Sequence, residues 1–195
     1  MIKLKQILTL FAVATQLYLN AQSTIGLLQN TPEAYNGYTL FPPIGSDTTY
    51  LIDNCGRRVH MWPSQYRPAN SAYLLPDGSI ARPVVTTIGN QTFGAGGGVG
   101  GRVEKIDWDG NLTWGYNYAD TVQAQHHDIA TMPNGNVLML VWKKRTAADA
   151  IAAGRDSAKV FNGYVWDEGV VEVQPTGDST GNVVWEWYFW NHVVQ

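Results

Sequence analysis

The residues of this chain that could do chemistry gather in one run, Gln125-His126-His127-Asp128. Two adjacent imidazoles beside a carboxylate can serve as base, nucleophile or hydrogen-bond donor to an anion. His127 is the first choice for a functional group, because Asp128 beside it can orient its ring. His126 is the second. Neighbours in a strand point to opposite faces, so His126, His127 and Asp128 do not readily close on one ion, although His126 and Asp128 could share a face. No metal and no cofactor is therefore expected. His60 and His192 stand near tryptophans that end repeated segments, and they read as structural. No Gly-x-Ser-x-Gly pentapeptide supports a serine hydrolase. The single cysteine, Cys55, has no internal disulfide partner and reads as a turn residue in Asp53-Asn54-Cys55-Gly56.

The elements that must hold this run recur along the chain. Thr49 to Trp62 reads as strand, turn, strand, and Val103 to Trp114 repeats it closely. Val170 to Trp185 repeats it again with a longer turn. Each copy alternates apolar and polar residues around an Asp/Gly-type turn, which gives a hairpin with one buried face. A second hairpin signal follows the first two copies, at Tyr73-Leu74-Leu75-Pro76-Asp77-Gly78 and at Met132-Pro133-Asn134-Gly135. Proline fixes φ there ahead of a residue that tolerates positive φ. Gly56 and Gly110 are 54 residues apart, Gly78 and Gly135 are 57 apart, and Trp62 and Trp114 are 52 apart. Repeats of about 50 residues with four strands each are the signature of β-propeller blades. The tryptophan that closes each copy is expected to dock between neighbouring blades.

The fold class is thus all-β, a β-propeller of about three blades with a short helical insertion. The insertion is expected within Lys143 to Lys159, where alanines cluster and Gly154 can end a helix. Residues 22–47 read as an extended lead-in with one strand near Tyr38 to Phe41. Residues 89–101 are glycine-rich and read as a flexible loop between blades. Their match to Gly-x-Gly-x-x-Gly at Gly96, Gly98 and Gly101 carries no nucleotide site, since no helix follows.

Composition narrows the function classes. Aromatics at 12%, 20 glycines and only 15% charged residues suit short strands and tight turns. A formal net charge of −3 leaves no basic footprint for nucleic acid. Residues 1–21 read as a secretory signal, with Lys3 and Lys5 ahead of an apolar run and cleavage after Ala21. Residues 22–195 would then be periplasmic or secreted, with no membrane association after cleavage. Closed propellers need roughly four to eight blades. The chain is accordingly expected to be the N-terminal part of a longer propeller, and a homo-oligomer is allowed.

At this point the chain resembles the bacterial arylsulfotransferases, the PAPS-independent aryl-sulfate sulfotransferase family. The resemblance covers nearly all of residues 22–195. It rests on Tyr38-Thr39-Leu40-Phe41, Thr49-Tyr50-Leu51-Ile52-Asp53-Asn54, Ala72-Tyr73-Leu74-Leu75-Pro76-Asp77-Gly78, Ile106-Asp107-Trp108-Asp109-Gly110-Asn111, Gln125-His126-His127-Asp128-Ile129, Met132 to Leu138 and Trp185-Glu186-Trp187. It implies a six-bladed propeller that moves a sulfuryl group from an aryl sulfate ester to a phenolic acceptor through a sulfohistidine. It implies that His127, with His126 second, is the first histidine of the central channel. It also implies that the nucleophile, a neighbouring His-x-Asn element and a sulfate-binding arginine come from later blades, so neither His192 nor Arg155 stands in for them. Two other readings remain beside it: a non-catalytic secreted propeller used for binding, and a quinone-dependent dehydrogenase-like propeller.

Overall fold

The computed structural model describes residues 27–88 and 97–192; the leader expected at residues 1–21 lies outside them. The described residues are all-β with little helix, in three antiparallel sheets. The first sheet is β1 (Tyr38–Phe41), β2 (Thr49–Asp53) and β3 (Arg58–Trp62). The second is β4 (Tyr73–Leu74), β5 (Ile80–Val85), β6 (Gly101–Ile106) and β7 (Leu112–Asn117). The third is β8 (Gln123–Thr131), β9 (Val137–Thr146), β10 (Tyr164–Pro175) and β11 (Gly181–Tyr188). Within each sheet, sequence neighbours pair, so every sheet is a simple meander. Among the described residues no helix is long and apolar enough to cross a membrane.

The turns follow from their residues. Gly56 and Gly110 have φ of 73° and 89°, which a Cβ would disfavour. The carboxylates of Asp53 and Asp107 accept the amides of Arg57 and Asn111 across these turns at 2.8 Å each. The Pro-Asp-Gly and Pro-Asn-Gly triplets close β4 to β5 and β8 to β9, with Gly78 and Gly135 donating to the carbonyls of Leu75 and Met132.

The sheets pack in sequence order. Leu51 and Trp62 of the first meet Ile80 and Ile106 of the second. Ala81, Val103 and Trp114 of the second meet Val137, Met139, Val141, Val171 and Val173 of the third. One buried indole latches each sheet to the next. Trp62 Nε1 donates to the Asp107 carbonyl at 2.9 Å, and Trp114 Nε1 donates to the Thr180 carbonyl at 3.0 Å. Tryptophans docked between sheets are what the repeats predict. The pairing register changes which residues are equivalent, however. Leu51 pairs His60, Lys105 pairs Trp114 and Glu172 pairs Trp185, so His60 occupies the Trp114 slot. That makes the interval 54, equal to the spacing of Gly56 and Gly110. His60 accordingly stacks on Trp108 of the next sheet with centroids 4.0 Å apart. A buried guanidinium adds to this first junction: Arg82 donates to Asp47 O, Thr49 Oγ1 and Tyr66 O, and lies 3.4 Å from Glu104.

One expectation is met and one needs correction. The short helical excursion falls within Lys143 to Lys159, and Gly154 follows its last turn. Lys143 to Thr146 stay in β9, because they pair with Tyr164 to Asp167 of β10. Helix α1 (Ala147–Ala152) begins only at Thr146, whose hydroxyl caps it by accepting from the Asp149 amide. The second concerns the glycine-rich run. Residues 89–96 lie outside the described part, but residues 97–101 are not a free loop. Val99 bridges to His126, and Gly101 starts β6.

Candidate functional site

The site forms where β8, the edge strand of the third sheet, lies against β5 and β6 of the second. Regular pairing of β8 with β9 stops after Gln125↔Val141 and resumes at Ile129↔Met139. Three residues of β8, His126 to Asp128, thus oppose Leu140 alone, and the strand bulges. His127 takes φ of 47°, a left-handed value that costs a non-glycine residue about 1–2 kcal/mol.

The backbone groups freed by the bulge find other partners, as buried ones must. The His127 amide donates to the Gly98 carbonyl at 2.6 Å. The Ser71 hydroxyl donates to the His127 carbonyl at 3.3 Å, and the Gln125 side-chain amide donates to the His126 carbonyl at 2.9 Å. This accounts for Gly98 and Gly100 ahead of β6. A Cβ on Gly98 would collide with the His127 ring, and one on Gly100 would collide with Gln125 Oε1. Gln125 is itself fully buried and accepts from the Gly101 amide at 3.2 Å.

The bulge also overturns the strand-alternation argument for the two histidines. His126 and His127 do not point to opposite faces. Their rings meet edge to face with centroids 5.0 Å apart, and Nδ1 of one lies 2.7 Å from Nδ1 of the other. One nitrogen must therefore donate and the other accept. His126 is buried and stacks flat on Trp142 with centroids 4.0 Å apart. Burial, and then the charge of neighbouring His127, push its pKa down to about 4, against the opposing pull of the Val141 carbonyl. It is neutral at neutral pH. His127 is only half-buried. Among the described residues no three metal-binding side chains cluster.

Asp128 does not orient the His127 ring by a hydrogen bond. Its Oδ1 accepts from the Tyr73 hydroxyl at 2.7 Å and from the Ile129 amide at 2.8 Å. Burial opposes its ionisation. The hydrogen bonds from Tyr73, Ser71 and Ile129, together with the nearby His127, outweigh burial and hold the carboxyl below its usual value. The same bond holds the Tyr73 hydroxyl above its usual pKa. The side chain hydrogen-bonded to the His127 ring is His126.

On the far side of His126 stands Glu168 of β10. Its Oε2 accepts from Trp142 Nε1 at 2.8 Å, and its Oε1 lies 3.0 Å from His126 Nε2. The second contact is close but out of line with the ring N–H, so Nε2 has no aligned acceptor. Glu168 is directly cross-strand from Trp142, and Trp142 is cross-strand from Ala124 beside the histidines. Glu168, Trp142, Tyr73 and Ser71 all escape a reading of the motif, because each joins it through sheet pairing or a junction between sheets. His60 and His192 stay outside the site: His60 sits at the first junction and His192 stacks on Trp187 at 5.0 Å.

An all-β chain of repeated antiparallel meanders agrees with the fold class that the sequence resemblance implies. The Arylsulfotransferase (ASST) family model matches residues 14–193, and the chain belongs to that family. A comparison with curated proteins finds no match.

Proposed function

We propose that the protein transfers a sulfuryl group from an aryl sulfate ester to a phenolic acceptor, and that His127 contacts the group transferred. The observation that carries this is the histidine pair. One imidazole is buried and neutral, and it holds a second, half-buried imidazole in place by a 2.7 Å bond. In the proposed reaction an imidazole nitrogen attacks the ester sulfur. The N–S bond forms, the S–O bond to the aryl oxygen breaks, and the phenolate leaves and takes up a proton. The acceptor phenol then loses its proton and attacks the same sulfur, and the N–S bond breaks. Imidazole N–H groups stabilise the charge that grows on oxygen. A cavity of about 830 Å³ lies beyond Glu168, walled by Phe161, Trp166 and Trp190 with Arg155 and Lys159, and neither histidine of the pair lines it.

The three sheets are proposed to be successive blades of a propeller, six-bladed when complete. Two facts support this. Each of the first two sheets latches onto the turn of the next by an indole, and Trp185, in the corresponding place of the third, is 49% exposed. Edge strands β4 and β8 also stand side by side through Tyr73 and Asp128, as inner strands around an axis would. The protein is further proposed to be exported, with residues 1–21 removed; a mature N-terminus elsewhere than Gln22 would refute that cleavage.

The test uses the purified product of the full-length gene with p-nitrophenyl sulfate and phenol. Nitrophenol release that requires phenol, and that His127→Ala abolishes, is the expected result. A folded protein that transfers nothing would defeat the enzyme reading and favour a binding propeller.

A further inference from the structure

We propose that Glu168 and His126 form a relay that fixes the tautomer of His127, so that Nδ1 of His127 always carries a proton and Nε2 is the atom offered to substrate. Both are positioning residues. The proposal rests on the reading of His127 as the group that meets the sulfuryl ester, and it adds Glu168, which no motif marks.

Hydrogen-bond accounting decides the tautomers. A neutral imidazole has one donor and one acceptor nitrogen, and the partner of one nitrogen decides the role of the other. Two imidazoles that share a 2.7 Å Nδ1···Nδ1 contact can settle it either way. The tie is broken at the other end of His126. The atom 3.0 Å from its Nε2 is a carboxylate oxygen of Glu168, which can only accept. A buried Nε2 lone pair facing a carboxylate would be repelled, so Nε2 carries the proton. His126 Nδ1 is then the acceptor, and His127 Nδ1 must donate to it.

The out-of-line geometry of Glu168 fits this role. His126 Nε2 is buried with no aligned partner, which is costly for a polar atom. Glu168 is about half exposed and borders the open cavity, so its carboxylate has room to swing into line. Trp142 holds the other oxygen, so the swing is a rotation about a fixed point. The same indole stacks on His126 and sets the plane of the ring. Trp142 thus serves both partners of the relay.

The consequence for His127 holds in either charge state. When neutral, its Nε2 has a bare lone pair, able to accept a proton from the attacking phenol. When charged, Nε2–H is a donor aimed at a sulfate oxygen, and Nδ1–H still rests on His126. The ring never needs to flip between these tasks. Gly98 packs against the ring beside Nε2, Cδ2 and Cγ.

The test is nitrogen-15 NMR of protein labelled at histidine, which assigns the proton of each ring nitrogen from its chemical shift and couplings. The expected wild-type pattern is His126 with Nε2–H and His127 with Nδ1–H. Glu168→Ala should mix the tautomers of both rings. Glu168→Gln keeps an acceptor oxygen and should restore the wild-type pattern. Trp142→Phe keeps the stacking surface but releases Glu168, and should give a partial loss. A wild-type His127 protonated only at Nε2, or spectra unchanged in Glu168→Ala, would overturn the relay. Neither result depends on turnover, so the relay and the sulfotransferase reading fail separately. If both hold, Glu168→Ala lowers kcat by roughly 10-fold with little change in KM, the low end of what loss of a hydrogen-bond partner costs a metal-ligating histidine.

Discussion

The burial of His126 sets a specific dependence of stability on pH. Its folded pKa, about 4, lies below the ordinary histidine value of about 6.5. The unfolded chain therefore binds more protons between these two values, and stability rises with pH across that window. The contribution is complete above about pH 6.5 and is lost as pH falls towards about pH 4. Every tenfold difference in proton affinity between the folded and unfolded chain is worth about 1.4 kcal/mol, so the whole effect is about 3 kcal/mol. Between about pH 7 and about pH 5 the loss comes to roughly 2 kcal/mol. That interval is diagnostic. Asp128 and the turn carboxylates of Asp53, Asp77 and Asp107 are held below the usual carboxylate value, so their losses begin only in stronger acid. The assay is urea unfolding followed by tryptophan fluorescence at several pH values, for wild type and for His126→Phe. Phenylalanine keeps the stack on Trp142 without a titrating nitrogen. The difference in unfolding free energy between the two proteins should change by roughly 2 kcal/mol over the interval. If the two proteins fall in parallel as pH drops, His126 is not held neutral by burial and the account of the pair is wrong.

Three further perturbations read out other contacts. Trp114→Ala removes a buried indole and its bond to Thr180, and should cost about 3–5 kcal/mol in chemical denaturation, against little for Trp185→Ala in the described chain. Gly98→Ala forces a side chain into left-handed backbone and into the His127 ring; it should destabilise by about 1–2 kcal/mol and depress turnover more than substrate binding. Tyr73→Phe leaves Asp128 without its strongest external donor. The partial exposure of the pair keeps the stability cost near about 1 kcal/mol, and the Asp128 carboxyl should titrate at higher pH by carbon-13 NMR.

The architecture is legible wherever local chemistry decides it. An Asp/Gly turn between alternating segments predicts its hairpin, and the three hairpins lie where the repeats place them. The strand near Tyr38 to Phe41 also needs nothing beyond its own residues. What escapes is whatever depends on register. His60 and Trp114 are equivalent in the pairing register, an alignment that the 54-residue glycine spacing carries and the 52-residue tryptophan spacing misses. Likewise, a regular strand would have separated His126 from His127. The bulge that unites them leaves no mark in residues 125–129, but it does leave one upstream, in the glycines at 98 and 100. Glycines that read as slack are there because two strands approach closely. Glu168 is the extreme case, 40 residues beyond Asp128 and joined to the motif only by cross-strand pairing.

The indole latches also bear on how the chain acquires its structure. Every strand pairs with a neighbour in sequence, so each meander can form from a short length of chain soon after it is made. The donor that fastens a sheet, by contrast, belongs to its last strand and finds its carbonyl only in the turn of the sheet that follows. Folding would then advance from the N-terminal side as a zipper. The newest sheet would hold its own hydrogen bonds but present an undocked tryptophan, and a pause in synthesis would leave one sticky face at a time rather than many.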